Sequence, residues 1–170
     1  YSLSGHNQVI NVIMDRLPLT ITLNIFTIMV TWILALPIGI YSAVKQYSIG
    51  DYVFTFIAFI GQAAPAFLIA LVALYVGFVV FDAPIGGIFS PEYINAPWNL
   101  ARVWDFLKHL ILPVLILSLA GVAQSSRVMR ATLLDELKKP YVDTARVKGL
   151  SEAKLILKYP VRLALIPFIS

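Results

Sequence analysis

The 170 residues are 59% hydrophobic and 13% charged, far short of the about 25% charge of an ordinary soluble domain, which excludes water as the sole solvent of the chain. The lack of cysteine excludes disulfide frameworks, thiolate metal sites and cysteine nucleophiles in this stretch. The net charge of +4 is unevenly spread: between Arg127 and Arg162 nine Lys/Arg stand against four Asp/Glu, and the remainder holds four against five.

A helix crossing about 30 Å of hydrocarbon at 1.5 Å per residue needs roughly 20 apolar residues. Residues 17–44 and 52–81 contain no charged residue, and the short polar turn 45–51 joins them, so the sequence predicts a helical hairpin in lipid. A third span is predicted over 104–130, where Trp104, Phe106 and Leu107 extend the apolar run and Lys108 reaches toward the headgroups. A further span begins at residue 163. Two charge-free runs near 30 residues exceed the roughly 10 to 14 expected of a buried soluble helix. The predicted class is therefore all-α, a polytopic membrane helical bundle. With no initiating Met and with its last apolar run cut at Ser170, the chain is expected to be a fragment truncated at both ends.

Lys and Arg of short loops stay on the cytoplasmic side, which places the loop 131–162 inside, the 82–108 loop outside, the 45–51 turn inside and the N-terminus outside. Each predicted span carries a proline, Pro37, Pro65 or Pro113, able to bend or break a helix. Around Pro65 a glycine and an amide, Gly61 and Gln62, lie within five residues, and irregular backbone is tolerated in a membrane only beside protein or a water-filled cavity. Gln62, Asn24 and Gln124 are the amides of the spans; they are candidates either for interhelical hydrogen bonding or, with Pro65, for lining a polar passage. Ser118, Gly121 and Ser125 share one helix face that admits a close neighbour, whether of this chain or of a partner subunit.

Catalysis finds little support. The two charge-free spans hold no Asp, Glu, His or Lys, the two histidines lie far apart outside any metal-ligand spacing, and no Gly-x-x-x-x-Gly-Lys-Ser/Thr phosphate loop occurs. No catalytic residue, metal or cofactor is assigned, and any ATP chemistry belongs to a partner. The basic block has Tyr141 and Tyr159 as its aromatics and sits between membrane segments, so it reads as basic because cytoplasmic; nucleic acid is not an expected partner.

Within that block Pro140 suits a first helical turn, Tyr141 to Lys148 form helix readily, and Gly149 stands where a helix end favours glycine. Ser151 is a candidate N-cap of a second short helix that Glu152 and Ala153 to Lys158 continue. Two short helices meeting at a glycine make either a bracket for another protein to grip or an amphipathic surface resting on anionic membrane lipid.

The string Pro140-Tyr141-Val142-Asp143-Thr144-Ala145-Arg146-Val147-Lys148-Gly149-Leu150-Ser151-Glu152 resembles the cytoplasmic loop of binding-protein-dependent ABC importer permeases. Its Asp143-Thr144-Ala145-x-x-x-Gly149 core corresponds to their Glu-Ala-Ala-x-x-x-Gly signature, with two substitutions at its start. Tyr141-Val142 and Thr144 to Leu150 are similar to the dipeptide, oligopeptide and nickel branch, as are Pro37-Ile38-Gly39-Ile40 and Leu110-Ile111-Leu112-Pro113. Arg16-Leu17-Pro18 resembles the opening of the second span in the first, B-type, of that branch's two paired permeases. Where the general signature has a proline 13 residues after its glycine this chain has Arg162, flanked by Pro160 and Pro167.

The resemblance implies a fold like that of type I ABC importers, with residues 1–170 forming part of one permease domain in the bacterial cytoplasmic (inner) membrane. It implies transport of peptides or similar small solutes. The implied partners are a second homologous permease subunit, two ATP-binding subunits and an extracytoplasmic solute-binding protein. It makes Tyr141, Val142, Asp143, Thr144, Ala145, Arg146, Lys148, Gly149 and Leu150 the segment that couples to the ATPase. The competing reading is a membrane scaffold whose basic loop binds lipid or a partner without transport.

Overall fold

The structure, a computed structural model, describes residues 9–82 and 87–169, all of it helix and connecting loop. His6 lies outside the described residues. The elements in order are α1 (Val9–Val44), α2 (Ile49–Ala63), α3 (Ala66–Phe81), a 3₁₀ turn (Pro91–Tyr93), α4 (Leu100–Leu137), α5 (Pro140–Val147), α6 (Glu152–Lys158), α7 (Pro160–Ala164) and α8 (Ile166–Ile169). The 36-residue α1 and 38-residue α4 are each long and apolar enough to cross a membrane, and α2 with α3 supplies a third crossing if the pair is one broken span.

The three membrane prolines behave differently. Pro37 lies within the uninterrupted α1 and Pro113 within the uninterrupted α4, whereas the run expected as one helix over 52–81 divides at Ala64 and Pro65. Ala64 is extended (φ −79°, ψ 137°), the conformation a residue before proline favours, and its N–H still reaches Ile60 O at 3.0 Å. Proline alone therefore does not decide; an extended residue ahead of it does.

Two compact units are present, one built from the described residues of 9–30 and 67–118, the other from 31–66 and 119–169. In the first, Gly77 of α3 is buried against Leu112 of α4, whose methyls a Cβ would meet at 3.0 and 3.1 Å. The loop ahead of α4 is folded around two charges. Asp105 accepts from Ser90 N (2.8 Å) and Ser90 Oγ (2.6 Å), and Arg102 stacks 4.6 Å from both Phe89 and Trp98 while donating to Ile94 O (3.2 Å) and Ala96 O. His109 is buried, its Nδ1 2.8 Å from Asp105 O one turn back.

In the second unit, helices approach at small residues, as they must where lipid is as apolar as the side chains and shape governs packing. A Cβ on Gly39 of α1 would lie 2.6 Å from Met129 Cβ and 2.7 Å from Ser126 O, and one on Gly121 of α4 would lie 3.0 Å from Thr31 Oγ1. The neighbour at Gly121 in the predicted small-residue strip is thus a helix of the same chain. Met129 and Leu133 of α4 are wholly buried with Ala43 of α1 and with Val161 and Ala164 of α7, which folds back onto this core immediately after Pro160. Thr132 Oγ1 adds a bond to Ala164 O at 3.3 Å.

Gly39→Ala is expected to cost about 2 kcal/mol, the usual penalty of overpacking a filled contact, because backbone as well as side chain stands in the way. The check is a lowered thermal unfolding midpoint in detergent; an unchanged midpoint would mean that α1 and α4 do not approach as closely as described.

Candidate functional site

The basic segment after α4 folds into a closed bracket. Pro140 begins α5, where its missing N–H costs nothing, and Lys148 caps its end. Gly149 follows at φ +80°, Gly149 N donates to Arg146 O (3.0 Å) and Leu150 N to Ala145 O (3.4 Å), the paired bonds of a Schellman ending. A Cβ on Gly149 would meet nothing within 4 Å, so glycine is required by the positive φ and not by space. Ser151 occupies the N-cap position of α6 as expected from sequence, but its hydroxyl makes no capping bond; its carbonyl accepts from Leu155 N at 2.9 Å.

Val142, Ala145 and Leu155 are buried between α5 and α6, with Tyr141, Leu150 and Ile156 packed around them. Burying Leu155 and Val142 contributes about 2 kcal/mol each to keeping the two helices together. Of the residues expected to face the ATPase, then, Val142 and Ala145 point inward and hold the bracket closed, while Asp143, Thr144, Arg146 and Lys148 are exposed. Val147, which sequence reasoning passed over, is the bracket's most exposed apolar side chain at 89%. Its helical position gave no sign of this, because an eight-residue helix has too few turns to define an apolar face.

Charge completes the closure. Arg146 spans the glycine turn, donating Nη1 to Asp143 Oδ1 (3.0 Å) and both Nε and Nη2 to the Glu152 carboxylate (Nη2 to Oε2, 3.3 Å). The Arg146 guanidinium holds Glu152 below the usual carboxylate range, and Glu152 in turn raises Arg146. At the other end Tyr141 donates to Glu136 Oε2 (2.9 Å) on the last turns of α4, and Lys139 Nζ reaches Glu136 Oε1 at 2.6 Å. Burial, reinforced by the Glu136 carboxylate, pushes the Tyr141 phenol up to about 12, so it remains a donor at any physiological pH. Tyr141, Thr144, Ala145, Lys148 and Leu150 also form one wall of a cleft of about 540 Å³ whose far side is Lys158, Tyr159, Arg162 and Leu163.

A bidentate ion pair that the sequence did not announce sits where α2 begins. Asp51, expected in the polar turn, is the third residue of α2 and 2% exposed. Arg130 of α4 donates Nε to its Oδ1 (2.9 Å) and Nη2 to its Oδ2 (2.8 Å). The same carboxylate accepts from Tyr47 N (2.9 Å), which stabilises the left-handed Tyr47 (φ 63°), and Ser48 Oγ caps the helix by accepting from Asp51 N (3.2 Å).

The amides of the spans part company. Asn24 donates to Thr20 O of its own helix (2.9 Å) and faces away from any interhelical partner among the described residues. Gln62, next to the Pro65 break, donates to Gln124 Oε1 at 3.0 Å, and Arg127 Nη2 donates to that same oxygen at 3.0 Å. Both glutamines are exposed, so this interhelical bond lies on an open face of its unit.

Apolar helices of membrane length, joined at small residues and leading at a basic end into a stiff two-helix bracket, define a polytopic helical membrane component. The chain belongs to the family of binding-protein-dependent transport system inner membrane components, which matches residues 35–170. It is 34% identical over 168 residues to the peptidoglycan transport system permease protein YejB of Agrobacterium fabrum, covering 97% of this chain and 46% of that protein. It is 35% identical over 172 residues to the inner membrane ABC transporter permease protein YejB of Escherichia coli O157:H7, covering 99% and 47%. With the oligopeptide transport system permease protein AppB of Bacillus subtilis it shares 38% over 159 residues, covering 93% and 48%. The chain spans about half the length of these relatives.

Asp51→Asn should destabilise the protein by about 3 kcal/mol, since it strips a buried ion pair of one partner, and adding Arg130→Met should restore part of the loss. Thermal unfolding of the single and double variants measures this; strictly additive losses would show that the two side chains do not interact. The bracket has its own pH signature. Because Glu152 titrates lower folded than unfolded, its contribution is complete above the ordinary glutamate range near 4.3 and is lost as pH falls through the depressed value. Protection of the α5 and α6 amides against exchange, taken relative to the intrinsic rate at each pH, is accordingly expected to fall on acidification in the native chain and to lose that dependence in Glu152→Gln.

Proposed function

We propose that this chain forms part of the translocation path of an ATP-driven importer of peptides or similar small solutes. It works with a second homologous permease, two ATP-binding subunits that hydrolyse the nucleotide, and an external solute-binding protein that delivers cargo. Family membership supports the importer class, and the names of the YejB and AppB relatives support a peptide-like cargo.

The observation that carries the mechanical part of the proposal is the closure of the bracket. With α5 and α6 locked by the Gly149 turn, the Arg146 bridge and the buried Val142, Ala145 and Leu155, a push on α5 has no soft joint in which to dissipate. Ile156 packs against the bracket core and also against the core of Met129, Leu133, Val161 and Ala164, so the push is passed to the inner ends of α1 and α4. The surface offered to the ATPase is Asp143, Thr144, Val147 and Lys148, with Arg146 partly engaged in holding the turn. ATP-driven closure of the partner would drive the spans between inward and outward access as rigid bodies. On the passage side, the break at Ala64 and Pro65 and the exposed Gln62–Gln124 pair supply the polar lining, a reading supported by the irregular backbone there, which a membrane tolerates only beside protein or a water-filled cavity.

Gly149→Val tests the coupling role. A β-branched residue at φ +80° is strongly disfavoured, so the turn must rearrange even though space is available. In the complete transporter the variant should insert into the membrane and leave ATP hydrolysis running, while uptake per ATP hydrolysed falls at least tenfold. Uptake per ATP equal to that of the native complex would contradict the proposal.

A further inference from the structure

Two arginines of α4 lie one helical turn apart and meet different fates. Arg130 is paired with Asp51. Arg127 is nearer the middle of the helix and has no Asp or Glu within ion-pair distance among the described residues. Its Nε is buried without any partner, its Nη2 donates to Gln124 Oε1, and its guanidinium lies 5.8 Å from the Phe59 ring. A cation left unpaired among apolar spans is costly, and such residues persist where they serve an ion or substrate path.

The surroundings of Arg127 specify what it lacks. Gln124 Oε1 accepts from both Gln62 and Arg127, which fixes the orientation of that amide and leaves Gln124 Nε2 a donor without a partner among the described residues. Gln62 has spent a donor, and its Oε1 accepts no bond among the described residues. Two exposed amides, offering one donor and one acceptor, therefore lie beside a half-buried guanidinium whose Nη1 makes no bond among the described residues. A guanidinium fork matches a carboxylate, and an amide donor beside an amide acceptor matches a peptide group. The end of a peptide chain presents both within a few ångströms.

We propose that Arg127, with Gln62 and Gln124, is a contact site for the C-terminal carboxylate of a peptide in transit. This rests on the importer reading above and adds the chemical group recognised. A single fork beside two exposed amides holds its ligand briefly, which suits a path that must also release what it binds. The amides register the last peptide group, and Arg127 favours chains that end in a charge over chains that do not.

The test uses the complete transporter in proteoliposomes, with trialanine and trialanine amide as probes and uptake of each normalised to its occupancy of the solute-binding protein. The native complex is expected to favour the free acid. Arg127→Gln should lower the acid-to-amide uptake ratio on the order of tenfold, the worth of one charge-assisted hydrogen bond, and Arg127→Lys should fall between. An equal fall in both uptakes, with the ratio unchanged, would overturn the proposal and leave Arg127 a purely structural residue. Loss of the second permease from the purified Arg127→Gln complex would also overturn it, by assigning the missing carboxylate to that subunit. If the native complex carries neither probe yet its ATPase still responds to the binding protein, the carboxylate site falls while the importer reading stands; if that response is absent too, both fall.

Discussion

A carboxylate in an apolar chain must find a cation, and the pairing of Asp51 with Arg130 governs much of what surrounds it. Buried to 2% exposure and gripped by two of the three guanidinium nitrogens of Arg130, Asp51 pins the first turn of α2 to α4. From there α2 runs away from the basic end while α4 runs toward it. Going up α2 to Gln62 and back along α4 to Gln124 brings the two amides face to face. The pair also settles the approach to α2, since the same carboxylate holds the left-handed Tyr47 in place. Replacing such a pair with well-packed apolar residues is often no loss in stability, so its value lies in fixing one register among many that featureless apolar helices would tolerate.

The contrast between the two arginines of α4 follows from this arrangement. Arg130 is a structural cation because an acid reaches it; Arg127 has no acid within ion-pair distance among the described residues. On the basic side, the bracket repeats the same logic with different means. Arg146 closes the glycine turn electrostatically, and Val142, Ala145 and Leu155 close it by exclusion of water. Since Ile156 belongs to the surroundings of both cores, the bracket is not an appendage on a flexible stalk but a continuation of the packed inner ends of α1, α4 and α7.

Sequence disclosed those features whose physics is local. Apolar runs announced the all-α membrane class, Gly149 announced a helix end requiring positive φ, and the cluster of Gly61, Gln62 and Pro65 marked the place where backbone turned irregular. Features that depend on distant partners stayed hidden. Asp51 and Arg130 are 79 positions apart, and each alone looked like an ordinary flank of an apolar run. The inward Val142 and Ala145 were read as part of the docking surface because a helix of eight residues shows its faces only when its neighbour, α6, is in view. Nothing local to His109 revealed that it would be buried, with Nδ1 against Asp105 O. Pro37 and Pro113, also read as able to bend or break their helices, leave them uninterrupted; of the three, only at Pro65 does the preceding residue leave the helix.

The central claim is that the bracket and the inner end of α4 move as one body when the ATPase closes. These 170 residues hold no cysteine, so a pair of spin labels at Ala131 and Ala153, both exposed, with any cysteine elsewhere in the complex replaced, reports that distance. Double electron–electron resonance on the complete transporter, nucleotide-free and then trapped with ATP, should give the same distance distribution in both states. A shift or broadening on adding ATP would mean that the bracket flexes against the span, and force transmission through it would be contradicted.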